Sequence, residues 1–144
     1  MKKNTREPSP CVVLVIDGMG GGIGKAVIEH IRSENKDLEI IAVGTNSAAT
    51  SVMLKAGADN GATGENAVKY NSKKADVIIG AMGIVIVNSM YGEISPKMAK
   101  AVSSSPAHKI LIPKCKCGVS VLGLEDKPIQ AYISEINKTL KIIN

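Results

Sequence analysis

The chain has 144 residues, of which 44% are hydrophobic and 22% are charged, which is the balance of one globular domain rather than of a disordered chain. It contains no Trp, no Phe and three Tyr, so it offers few of the aromatic platforms on which nucleic-acid bases stack. The net charge of +5 comes from a basic N-terminal stretch and from lysines scattered among acids. Without a block of like charge, we expect no nucleic-acid partner.

Residues 1–10 are polar and contain two prolines, and we expect them to form a flexible tail before a single domain at residues 11–144. The first apolar run, at residues 11–16, is too short for the core of a signal peptide. The longest apolar stretch, at residues 77–87, is interrupted by glycines and falls short of the roughly 20 residues of a membrane span. These features predict a cytoplasmic protein with no membrane partner.

Short apolar runs alternate with stretches of helical period along the chain. This pattern predicts an α/β fold, with a mostly parallel sheet of about five or six strands and helices on both faces. The predicted strands cover residues 11–16, 38–43, 75–79, 109–112 and 119–122. The predicted helices cover residues 23–31, 47–56, 63–74, 84–91 and 96–103, and a closing stretch after Pro128.

A glycine-rich turn, Asp17-Gly-Met-Gly-Gly-Gly-Ile-Gly24, joins the first predicted strand to the first predicted helix. In that context glycines let a ligand approach the backbone, and the helix N-terminus favours an anion. The spacing fits neither Gly-x-Gly-x-x-Gly nor a P-loop. The Gly-x-x-x-Gly-x-Gly spacing at Gly18, Gly22 and Gly24 resembles the cofactor turn of short-chain dehydrogenases. We therefore expect a small-molecule nucleotide here, with NAD or NADP as candidate cofactors.

Other ligand contacts are expected from the segments that follow the carboxyl ends of the strands, because open α/β sheets bind ligands there. Thr45 and Asn46 follow the second strand, where dinucleotide enzymes usually carry an acidic residue for the ribose; Asn88, Ser89 and Glu93, and also residues 113–116, could turn toward the same crevice. The predicted contacts are Gly18, Met19, Gly20, Gly21, Gly22, Ile23, Gly24, Thr45, Asn46, Gly80 and Gly83.

Several ionisable residues raise the question of chemistry. Tyr70 and Lys74 have the Tyr-x-x-x-Lys spacing of short-chain dehydrogenases, but they fall on an early polar helix, where a solvated face is the better interpretation. Cys115 and Cys117, with His108, lack the paired spacing of a zinc site, and we expect no metal. Asp17 would repel a pyrophosphate unless neutralised, or it could hold the glycine turn by accepting its N–H groups. No catalytic residue is predicted.

Several further motifs run along the chain: Gly44-Thr-Asn, Leu54-Lys-Ala-Gly-Ala58, Gly61-Ala-Thr-Gly-Glu-Asn-Ala67, Asn88-Ser-Met-Tyr-Gly-Glu-Ile94 and Ser95-Pro-Lys-Met-Ala99. With the glycine turn, they resemble an uncharacterised family of small bacterial proteins, domain-of-unknown-function family 3842. The resemblance implies a Rossmann-like fold and no reaction. Three hypotheses stay open: a nucleotide-binding module without chemistry, a small NAD(P)-dependent reductase that completes its site as a homo-oligomer, and a ligand-free structural or interaction domain.

Overall fold

A computed structural model describes residues 11–114 and 117–143. The predicted tail at residues 1–10 and the side chain of Cys115 lie outside these ranges. The strands are β1 (Val12–Asp17), β2 (Glu39–Gly44), β3 (Asn60–Thr63), β4 (Val77–Ala81) and β5 (His108–Ile112). The helices are α1 (Gly22–Glu34), α2 (Ser47–Ala56), α3 (Glu65–Ser72), α4 (Pro96–Ser103), α5 (Ile129–Ile133) and α6 (Ile136–Ile143).

The five strands form one all-parallel sheet in the order β3-β2-β1-β4-β5, which confirms the predicted fold class. β1 lies at the centre, and residues 13–17 are buried. Its side chains alternate between the two faces, with Val13 and Val15 in one hydrophobic cluster and Leu14 and Ile16 in the other. This continuous apolar run is typical of a strand that helices cover on both sides.

Helices cover both faces of the sheet, as predicted. One cluster takes its helical side chains from α1, α2, α5 and α6, and the other takes them from α3 and α4. α4 begins where the Ser-Pro signal predicted, because the Ser95 hydroxyl accepts the Met98 N–H and Pro96 occupies the first turn. No helix in the described part of the chain is both long enough and apolar enough to cross a membrane.

Four predicted elements differ from the structure. The helix predicted over 63–74 is shorter, because residues 60–63 form β3 at the sheet edge. The helix predicted over 84–91 is wrong: a 3-10 turn at Met82–Val85 leads into further turns. The strand predicted over 119–122 is wrong, because these residues are exposed and join no sheet. The single closing helix is two helices, α5 and α6.

The strand order defines where a crevice can form. From β1 the chain runs through α1 to β2 on one side, and from β4 it runs through α4 to β5 on the other side. β1 and β4 are neighbours, so the connections that leave their carboxyl ends diverge. Crevices at such topological switch points are the usual ligand sites of open α/β sheets.

Candidate functional site

A cavity of about 760 Å³ lies at the carboxyl ends of β1 and β4. One wall is the glycine loop, which we define as residues 17–24. Another wall is the segment of residues 86–91, most of whose side chains are apolar, and Lys114 contributes a cation. The volume falls within the range of about 300–1,000 Å³ that is typical of small-molecule sites.

Three glycines of the loop are required by the fold itself. Gly21 precedes α1 with φ of 75°, in the left-handed region, and a Cβ there would lie 2.9 Å from the backbone of Ala49. A Cβ at Gly18 would lie 2.5 Å from a Glu93 carboxylate oxygen, and one at Gly24 would overlap the Met53 side chain. These residues are buried, and packing accounts for all three.

Gly20 and Gly22 have no such explanation. Both are exposed and line the cavity, and a Cβ at either position would have no heavy atom within 4 Å. Neither has a positive φ. Within residues 11–114 and 117–143, neither backbone N–H has a hydrogen-bond acceptor. The open side of the glycine loop therefore borders the cavity with two backbone donors that have no acceptor in the described part of the chain.

Asp17 ends β1 and holds the glycine loop from within. Its side chain is buried at 5% exposure, and its carboxylate accepts the N–H of Gly18 at 2.8 Å and that of Gly24 at 2.7 Å. Burial raises the pKa of Asp17 above its ordinary value, although the hydrogen bonds from the loop oppose this shift. Of the two roles considered for Asp17 from the sequence, the contacts favour the one in which it holds the turn.

Glu93 reaches the loop from the opposite side. One carboxylate oxygen accepts the Met19 N–H at 2.8 Å and the Thr45 hydroxyl, and the other accepts the Asn46 side-chain amide at 3.1 Å. Partial burial disfavours the charged form, but these three hydrogen bonds together outweigh it and lower the pKa of Glu93. Glu93, Thr45 and Asn46 thus form a closed polar cluster beside the loop, which we call the Glu93 cluster.

The predicted contacts divide into two groups. Gly18, Met19, Gly20, Gly21, Gly22, Ile23 and Gly83 line the cavity, as do Asn88 and Ser89. Gly24, Thr45, Asn46 and Gly80 do not line it. Gly80 lies inside β4, where a Cβ would be 2.7 Å from the Ile16 carbonyl oxygen, so the close pairing of β4 with β1 explains this glycine.

The sequence analysis missed the wall formed by Ile86, Val87, Met90 and Tyr91, because their apolar run resembles a buried helix. A signal was present: Asn88, Ser89 and Gly92 are turn-forming residues. Asn88, Met90 and Tyr91 have φ between 55° and 62°, which no helix accommodates.

Of the other ionisable residues considered from the sequence, Cys117 lines the cavity, whereas Tyr70, Lys74 and His108 lie away from it. Tyr70 on α3 and Lys74 in the turn that follows α3 are both exposed and hydrogen-bond to each other. His108 begins β5, at the opposite edge of the sheet from the carboxyl ends. The remaining histidine, His30, lies on α1 and does not line the cavity either.

The family described as "Domain of unknown function (DUF3842)" matches residues 12–144. The chain belongs to this family. The sequence motifs that resemble this family belong to the α/β domain with the Rossmann-like parallel sheet described above. No curated protein matches the chain. Membership of the DUF3842 family supplies no reaction, so a function has to be argued from the cavity itself.

Proposed function

We propose that this DUF3842 protein is a nucleotide-binding module that holds the phosphates of its ligand on the open side of the glycine loop. The observation that carries the proposal is the pair Gly20 and Gly22. Both lack a side chain where the fold has room for one, and both line the same cavity with a backbone N–H that has no acceptor among the described residues. Bare glycine backbone beside a cavity allows phosphate oxygens to reach main-chain donors.

The charges around the loop support an anionic ligand at this position. α1 has 13 residues, and its N-terminus carries a partial positive charge that favours anions. Asp17 already occupies the Gly24 N–H on the inner side, so Gly20 and Gly22 are the donors left for a phosphate. Lys114 also lines the cavity, and its ion pair with the exposed Asp126 spans 3.3 Å. Because exposed pairs of this kind are weak, Lys114 can exchange that partner for a phosphate.

The apolar wall supports a ligand that carries a ring as well as phosphates. Val87 is 50% exposed and Tyr91 is 97% exposed at the cavity, so both can pack against the face of a base. Small-molecule sites typically combine such apolar walls with a few polar groups that fix orientation. A nucleotide satisfies both parts of this lining, with its phosphates on the glycine loop and its base against residues 86–91.

Thermal unfolding in the presence of a nucleotide panel tests the proposal. Ligand at 100 times its dissociation constant adds about 2.7 kcal/mol to the stability of the folded state. In a domain of this size that corresponds to a rise in Tm of several degrees, since about 1 kcal/mol moves the midpoint by roughly 2–8 °C. We expect an adenine nucleotide to produce such a rise, and Gly22→Val to abolish it by covering the open side of the loop.

Ala48→Val is the matched control for Gly22→Val. It also places valine at an exposed position in the first turn of a helix, but Ala48 does not line the cavity. We expect this variant to keep the ligand-induced rise in Tm. The proposal fails if no nucleotide of the panel stabilises the wild type, or if the two valine variants respond alike.

A further inference from the structure

Resting on the proposed function, we infer that Glu93 excludes dinucleotides and makes this site one for mononucleotides. Its carboxylate occupies the place beside Gly18 and the end of β2 that the adenosine ribose of a dinucleotide would need. The inference thus names the class of nucleotide that the cavity takes and the residue that selects it.

The Glu93 cluster lies at the end of β2, next to the glycine loop. In Rossmann-type sites a dinucleotide places its pyrophosphate at the first helix and its adenosine ribose at the end of the second strand, where an acidic residue accepts a ribose hydroxyl. Here β2 is followed by Thr45 and Asn46, with no acid nearby in the sequence. Glu93 arrives instead from the turns before α4, and its carboxylate takes the hydrogen bonds of both residues.

Side chains occupy the space above Gly18. An added Cβ at Gly18 would lie 2.5 Å from the Glu93 carboxylate, 2.7 Å from the Thr45 hydroxyl and 2.8 Å from the Met90 sulfur. A ribose could enter this space only if these side chains moved. None of the three residues of the Glu93 cluster lines the cavity; Thr45 and Asn46 follow β2 directly, and both hydrogen-bond to Glu93, so its carboxylate lies at the end of β2.

Hydrogen bonds and packing hold the segment that carries Glu93 in place. The segment that carries it folds back on itself, since Asn88 N–H donates to the Ile94 carbonyl at 2.8 Å and Ile94 N–H donates to the Ser89 carbonyl at 3.2 Å. The Ser89 hydroxyl is buried and donates to the Gly83 carbonyl, and the Ile94 side chain is buried at 1% exposure. These contacts hold the backbone on both sides of Glu93, and its side chain is held over the loop by hydrogen bonds from Met19, Thr45 and Asn46, which a ligand would have to break in order to displace it.

The negative charges of Asp17 and Glu93 also disfavour a dinucleotide. Asp17 and Glu93 repel each other across the loop, and a pyrophosphate crossing Gly18 would meet both carboxylates. A phosphate at Gly20 and Gly22 would instead lie in the cavity that Lys114 also lines. A mononucleotide can place its only phosphates there, whereas a dinucleotide must extend past Gly18.

Titration calorimetry with AMP, ADP, NAD and NADP tests the inference on the full chain. We expect the wild type to bind AMP or ADP at least about tenfold more tightly than either dinucleotide. In Glu93→Ala, which empties the space above Gly18, we expect the affinity for dinucleotides to rise about tenfold or more relative to the affinity for mononucleotides. Glu93→Gln keeps the side-chain volume but removes the charge. If its dinucleotide affinity equals that of the wild type, the side-chain volume of Glu93 excludes dinucleotides; if the affinity rises, the negative charge excludes them. Both results support selection by Glu93.

Glu65→Ala is the matched control, because Glu65 is also a glutamate that accepts a hydroxyl hydrogen bond, from Ser95, but on α3 away from the cavity. It should leave the preference between mononucleotides and dinucleotides unchanged. Wild-type protein that binds NAD as tightly as AMP or ADP contradicts this inference and leaves the proposed function intact. Loss of dinucleotide binding in Glu93→Ala also contradicts it, since Glu93 would then be a ribose acceptor. Binding of no nucleotide by wild type contradicts both proposals.

Discussion

Two carboxylates hold the glycine loop from opposite sides, and the physical consequences of their positions differ. Asp17 is buried below the loop, and burial makes its ionisation less favourable in the fold than in the unfolded chain. Glu93 is partly solvated, and three donors make its ionisation more favourable in the fold. The glycine loop is therefore held by two acids: Asp17, which stabilises the fold more when it is protonated, and Glu93, which stabilises the fold more when it is charged.

The two residues predict opposite dependences of stability on pH. Because the folded pKa of Glu93 is lowered, its contribution is present above its unfolded pKa and is lost as pH falls through the folded value. Because the folded pKa of Asp17 is raised, the native state binds more protons between the two values, and stability falls as pH rises through them. In urea unfolding between about pH 3 and 7, the advantage of wild type over Glu93→Gln should shrink on acidification. Its advantage over Asp17→Asn should grow, and two differences that move in the same direction would contradict these assignments.

At the scale of the elements, the sequence predicts what depends on buried apolar periodicity. β1, α1, β2, α2 and α4 begin and end within three residues of the expected positions, because strand burial and helix capping leave clear local signals. β3 has the sequence Asn-Gly-Ala-Thr, which carries no hydrophobic pattern, and it forms because its backbone pairs with β2 at the sheet edge. No local rule of periodicity could predict that pairing.

The helix predicted from the apolar run at 84–91 and the strand predicted from the run at 119–122 were wrong for a related reason. A short apolar run can belong to a helix, a strand or the wall of a cavity, and periodicity alone does not separate them. In the first run, the backbone reverses through residues with positive φ and forms a wall of the cavity. In the second, Leu122 is 96% exposed, so apolar composition there does not reflect burial.

The start of α1 offers a direct test of why its glycines are present. Gly21→Ala should destabilise the protein by about 2 kcal/mol or more, because alanine in the left-handed region costs about 1–2 kcal/mol and its Cβ would overlap the Ala49 backbone. Gly22→Ala should leave stability unchanged or raise it by up to about 1 kcal/mol, because the position is helical and open.

Urea unfolding of these two neighbouring substitutions at one pH measures the difference, and each variant serves as the control for the other. Similar losses of stability in both would mean that Gly22, like Gly21, is required by packing. The argument that Gly22 faces the cavity for the sake of a ligand would then lose its basis.

At the scale of the whole molecule, the position of the site follows from topology. A parallel sheet in the order β3-β2-β1-β4-β5 opens a crevice between the connections of β1 and β4, and the context of strand, glycines and helix predicted one wall of it. The sequence indicated only that Glu93 could turn toward the crevice; its contacts with the loop could not be predicted, because they depend on how the turns between β4 and α4 fold back across the loop. Its proximity to Thr45 joins residues that are 48 apart in sequence, a contact that no local pattern encodes.

The central claim is that a nucleotide phosphate binds the bare backbone of Gly20 and Gly22, and an amide NMR titration with ADP tests it most directly. We expect the backbone N–H signals of these two glycines to shift in a saturable manner, since a charged acceptor would replace solvent at each donor. The signals of Gly57 and Gly64, which do not line the cavity, should stay in place. Saturable shifts that leave out Gly20 and Gly22, or no saturable shift in any described residue, would contradict the claim.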